Sequence, residues 1–148
     1  VSETDYGALM RDAGRAGPRA VSRELAACEK AARAAGFAVH QADLARVVAK
    51  ASLLSTLARA LELPSHFGGN WDALEECLLD PQWLTAPGCC IVLTHCGRYA
   101  ETQPDEFSTL IDVCDSVARV WREQGRPFWV LFSGAPAAGF GLAAPGGE

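Results

Sequence analysis

Nowhere in the 148 residues is there an apolar run long enough to cross a bilayer, which takes about 18 residues or more, so a helical membrane span is excluded. The opening stretch, VSETDYGALMRD, lacks the basic-then-apolar profile of a secretory signal, and a cytoplasmic protein is the expectation. Cysteine is present six times but never at C-x-x-C spacing, which argues against a zinc ribbon or a redox pair. In an intracellular domain the six read as core thiols, not as a disulfide framework. The D-x-D-x-D-G pattern of a calcium loop is missing as well.

The most telling absence is of positive charge. Between Arg59 and Arg98 there is no lysine or arginine, while Glu62, Asp72, Glu75, Glu76 and Asp80 all fall there. Outside that window acids and bases balance, so the net charge of −5 comes from one local patch. Such a surface repels nucleic acid, which a binder would meet with Lys and Arg, and attracts a basic partner.

Length sets one domain as the default. Residues 1–20, with Gly14, Gly17 and Pro18 breaking any helix, read as a flexible lead-in. Ala-rich SRELAACEKAARAA follows as an additional helix within 21–36, with Ser22 as its cap and Gly36 as its stop. FAVHQADL reads as a strand, SLLSTLARALEL as a helix behind Ser52, and WDALEECLLD as a helix capped by Asn70 and closed by Pro81. CCIVLTH is a buried strand, FSTLIDVCDSVARVWREQG a long amphipathic helix, and PFWVLFSG a last buried strand. The Ala, Gly and Pro tail from 135 to 148 is expected to be mobile. Three strand candidates separated by helices predict an α/β domain with a small parallel sheet, because parallel neighbours need a crossover.

On the helix after Asn70, Trp71, Leu74, Cys77 and Leu78 recur at three- and four-residue steps and should pack on the core. Asp72, Glu75, Glu76 and Leu79 take the other face. Asp72 alone would be explained by the favourable field of a helix start. The like-charged pair Asp72 and Glu76, four residues apart, costs a few tenths of a kcal/mol with no base nearby to relieve it. A glycosidase-type acid and base would require a carboxyl raised in pKa inside a cleft, and outward-facing residues of a short helix do not supply one. His95 with Cys89, Cys90 and Cys96 does not converge on a metal or a thiol nucleophile, because alternate strand residues point to opposite faces. Gly68 and Gly69 beside acids suit close backbone approach to a partner better than a phosphate cradle. Trp71, Trp121 and Trp129 read as packing residues. No catalytic residue, metal ligand or cofactor is expected.

The run LPSHFGGNWDALEECL resembles the segment of barstar-like proteins, intracellular inhibitors of barnase-type ribonucleases, that reads L-P-x-aromatic-aromatic-G-x-N-hydrophobic-D-A-L-x-(D/E)-C-L. Leu63, Pro64, Phe67, Gly68, Asn70, Trp71, Asp72, Ala73, Leu74, Glu76, Cys77 and Leu78 carry the match. A weaker similarity runs from Phe37 to Gly134, which sets 37–134 as a barstar-like domain with a small three-stranded parallel sheet packed with helices. The resemblance implies a non-enzymatic, monomeric inhibitor whose loop and helix enter the groove of a basic ribonuclease, with a carboxylate where the substrate phosphate would sit. It assigns partner contacts to His66, Phe67, Gly68, Gly69, Asn70, Asp72, Glu75 and Glu76, and to Trp83 as a later aromatic contact. A module of the same fold that binds another basic protein without inhibiting a nuclease is the alternative. This chain departs from the pattern at His66, where an aromatic is usual, at Glu76 for Asp, and at Glu75 for an aromatic. The acid that the family carries on its last helix falls near Val120, with Glu123 close by.

Overall fold

The strands that read as continuous apolar runs form the centre of the sheet. A computed structural model describes residues 5–64, 69–135 and 139–146. In it, strands Cys89–Thr94 and Phe128–Ser133 are buried along their first five residues and lie side by side in parallel, Cys89 facing Phe128 and Leu93 facing Phe132. Burial on both faces explains why neither shows polar alternation. Numbered in chain order, the strands are β1 (Pro18–Val21), β2 (Ala38–Asp43), β3 (Cys89–Thr94) and β4 (Phe128–Ser133), arranged β1-β4-β3-β2 with every pairing parallel.

The helices are α1 (Tyr6–Met10), α2 (Leu25–Ala34), α3 (Lys50–Ala60), α4 (Trp71–Leu79), α5 (Gly97–Thr102) and α6 (Pro104–Glu123). They divide into two layers because side chains alternate along each strand. Ile91 and Leu93 of β3 and Val130 and Phe132 of β4 point to a core completed by Leu53, Leu54 and Leu57 of α3, Leu74 and Leu78 of α4, and Phe107, Leu110 and Trp121 of α6. Cys90, Val92, Trp129 and Leu131 point the other way, beneath Leu9 and Met10 of α1 and Cys28 and Ala32 of α2. The Trp129 indole N–H donates to the Met10 carbonyl at 2.9 Å, so this large side chain is satisfied as well as buried.

Among the described residues the sheet thus has four strands where the sequence predicts three. The extra strand, β1, lies in the stretch that reads as a loose lead-in, where α1 also forms. Pro18 is its first residue, a place where a missing N–H costs least, and it pairs on one side with β4. Along its other edge Ala20 donates to the carbonyl of Ala143 at 3.0 Å. The tail contributes a second contact through Phe140, whose ring stands edge-on to Phe107 at 4.8 Å.

Helix starts also differ from expectation. In α3 the N-cap is Ala49, and Ser52 reaches back from within the helix to accept its N–H at 3.2 Å. Likewise α2 begins at Leu25, three residues beyond Ser22, and Gly36 closes its exit at φ +80°. All six cysteines are free and buried. Burial pushes the thiols up, to about 11 at Cys28 and about 12 at Cys90, Cys96 and Cys114. Among the described residues no helix is long and apolar enough to cross a membrane.

Candidate functional site

Helix α4 forms where its signals predict. Asn70 is extended, and its side-chain oxygen accepts the N–H of Ala73 at 2.8 Å, which satisfies one of the free donors of the first turn. Leu74, Cys77 and Leu78 face the core and are 1%, 8% and 2% exposed. Each of the two leucines contributes about 1.5–3 kcal/mol by leaving water, so this face cannot rotate outward cheaply. Leu79, expected on the outer face, is half-buried and packs against the core edge.

That anchoring determines what the helix presents. Asp72 and Glu76 are exposed, and Glu75 between them is half-buried. Among the described residues none of the three enters an ion pair; the four pairs there are Asp12 with Arg15, Glu29 with Arg33, Asp43 with His95, and Asp115 with Arg119. An exposed carboxylate on a convex helix has neither the burial nor the cleft that acid–base catalysis needs. The same exposure leaves both charges available to a cationic surface.

Gly69 precedes the cap at φ +72°, a left-handed conformation that glycine takes without strain, and among the described residues a side chain there would meet no neighbour within 4 Å. The other residues expected as loop contacts, His66, Phe67 and Gly68, lie outside the described residues. Trp83 is half-buried, donates its indole N–H to the Leu61 carbonyl at 2.9 Å, and stacks on His40 at 6.0 Å between ring centres. Its nitrogen is therefore used internally, which leaves only part of the ring for a partner. On the last helix Val120 is 37% exposed and Glu123 is exposed.

The frame under α4 comes from α6. Trp121, buried, donates its indole N–H to the Leu78 carbonyl at 3.2 Å, near the end of α4. Arg126 then lies over the Trp121 ring at 3.9 Å and donates to the carbonyls of Leu84 and Ala86, holding the segment between α4 and β3. At the other end of α4, Trp71 is half-buried and donates its indole N–H to Glu106 Oε1 at 3.0 Å. Glu106 was not among the residues predicted for the site. A half-buried tryptophan signals that an acceptor is needed, but sequence alone does not say which one.

Just beyond the C-terminal end of β3, His95 sits at φ +55° and shares a hydrogen bond with Asp43 at 2.8 Å, both groups well exposed. The Ala45 N–H and then His95 hold the Asp43 carboxyl below the usual range. Cys89 and Cys90 point to opposite faces of the sheet, as strand alternation requires. Among the described residues no cluster of three or more His, Cys, Asp or Glu is placed to hold a metal ion.

Comparison with known families supplies one match: the family described as Barstar (barnase inhibitor) covers residues 37–133. The matched span takes in β2 through β4 and every residue of α4. No curated protein matches the chain.

Proposed function

This chain belongs to the barstar family, and from that membership we propose that it is a non-enzymatic inhibitor of a basic ribonuclease, acting in the cytoplasm as a monomer. The loop and helix from His66 to Glu76 would occupy the enzyme's RNA groove, with Asp72 and Glu76 facing the arginine and lysine side chains that otherwise bind phosphate. One observation supports this above others: Asp72 and Glu76 are exposed on a helix whose opposite face is locked into the core, and no cation among the described residues neutralises them.

The physical logic is that of complementary fields. A patch that concentrates the whole net charge of the protein draws a basic enzyme from beyond contact range and raises the association rate. Once docked, carboxylates that lose water against guanidinium groups slow dissociation. Phe67 and the two glycines would allow close backbone approach, and Glu75 and the exposed part of Trp83 would lie at the rim.

The direct test is titration of several barnase-type ribonucleases with the intact protein while residual RNA cleavage is followed. Stoichiometric loss of activity with at least one is expected, at an association rate that falls as salt rises. If none loses activity, the inhibitory reading fails and the acidic helix serves another basic protein.

A further inference from the structure

We infer that Glu106 is a positioning residue for the acidic helix: by accepting the Trp71 indole N–H it fixes the start of α4, and so the direction in which Asp72 is presented. This inference rests on the inhibitory reading for its consequence in binding, while its structural half stands on the free protein alone.

Three observations carry it. First, α4 is tied to α6 at both ends through tryptophan indoles, Trp121 to the Leu78 carbonyl and Trp71 to Glu106. Core packing of Leu74, Cys77 and Leu78 anchors the middle and end of this nine-residue helix, and the bond at Trp71 adds a restraint at its start. Second, the two ties differ in chemistry. The one at Leu78 is a buried bond to backbone, which no substitution at the acceptor can tune. The one at Trp71 ends on a side-chain carboxylate and is only part-buried, so the residue at 106 decides whether it exists. Third, Trp71 immediately precedes Asp72 and follows the Asn70 cap, so a bond that pins its indole restrains the backbone of the acidic first turn.

The bond also carries charge. Glu106 and Asp105 lie in the first turn of α6, where the helix field favours carboxylates. Position and charge can be separated by substitution. Glu106→Gln keeps an acceptor and removes the charge; Glu106→Leu removes both. Trp71→Phe removes the donor and keeps the carboxylate.

The test uses the full chain in two measurements. In the free protein, NMR hydrogen exchange should show a slowly exchanging Trp71 indole proton and protected α4 amides in wild type and in E106Q, and faster exchange of both in E106L. Against an inhibited ribonuclease, E106L should weaken the complex about tenfold, the scale of one lost hydrogen bond, and E106Q should remain within about threefold of wild type. W71F should match E106L, and the double variant should lose no more than either. Equal exchange in wild type, E106Q and E106L overturns the inference, as does equal affinity of E106Q and E106L, or a double variant whose losses simply add. If wild type binds no ribonuclease, the inhibitory reading fails, and the exchange comparison still decides whether Glu106 holds Trp71.

Discussion

Replacing Glu76 by lysine should make the free protein more stable and the inhibitor much worse. Asp72 and Glu76 are like charges four residues apart on an exposed helix face, an arrangement that costs about 0.2–0.5 kcal/mol. Glu76→Lys removes that repulsion and substitutes an attractive pair of similar size in the favourable order, acid before base. The new charge would also fall near the end of α4, which carries no base in its last turn, and gain about 0.3 kcal/mol or more from the helix field. Together these stabilise the fold by about 0.5–1.5 kcal/mol, or about 1–6 °C in melting temperature for a chain of this size. Binding moves the other way. Losing one partner of a desolvated charge pair costs about 2–5 kcal/mol, a 30- to 5,000-fold weakening, and charge reversal should reach at least that. Thermal melts of the free protein, together with inhibition titrations at two salt concentrations, read both effects. A variant that melts higher yet inhibits like wild type would remove α4 from the interface. One that melts lower would show that this face is not free in solution.

Two further outcomes follow from the titrating groups. With the thiols pushed up to about 11 or 12 by burial at Cys28, Cys90, Cys96 and Cys114, a thiolate-selective reagent such as DTNB should label the native protein slowly and all six cysteines rapidly in denaturant; fast native labelling would contradict the packing. Asp43, whose folded pKa is depressed by the Ala45 N–H and by His95, contributes stability above the unfolded carboxylate range of about 4 and loses it as pH falls through its folded value. Urea melts should therefore show wild type ahead of Asp43→Asn at pH 7 by a margin that shrinks as pH falls below about 4, and a gap independent of pH would refute the assignment.

What could be read from sequence depended on how local the signal was. Helix α4 was legible because cap, periodicity and terminator all lie within about a dozen residues, from Asn70 to Pro81. The central strands were legible because burial on both faces leaves uninterrupted apolar runs. Strand β1 was not: its four residues include a proline and an arginine, three of the four are only half-buried, and its partner is the last strand in the chain. Helix α5 begins on Gly97 and buries only Tyr99 and Ala100, too few positions to establish a period. Within the site, the outward acids followed from spacing alone. The bond from Trp71 to Glu106 did not, because it joins two helices across a loop, strand β3 and helix α5, and an acid in the first turn of α6 already has a local explanation.

The seam between β1 and β4 has a consequence for how the molecule is made. Pro18 faces Val130 and Val21 faces Ser133, so β1 must wait for β4, which is made much later, before it has a neighbour in the sheet. Loop closure over such a distance is slow compared with helix formation or with pairing of strands nearer in sequence. Until then Met10, Cys28 and Ala32 have only part of the surface they eventually cover, because Trp129 and Leu131 belong to the strand still to come. Completion of the sheet is thus tied to synthesis of β4, and a product ending before Phe128 would carry the acidic helix without the full sheet behind it.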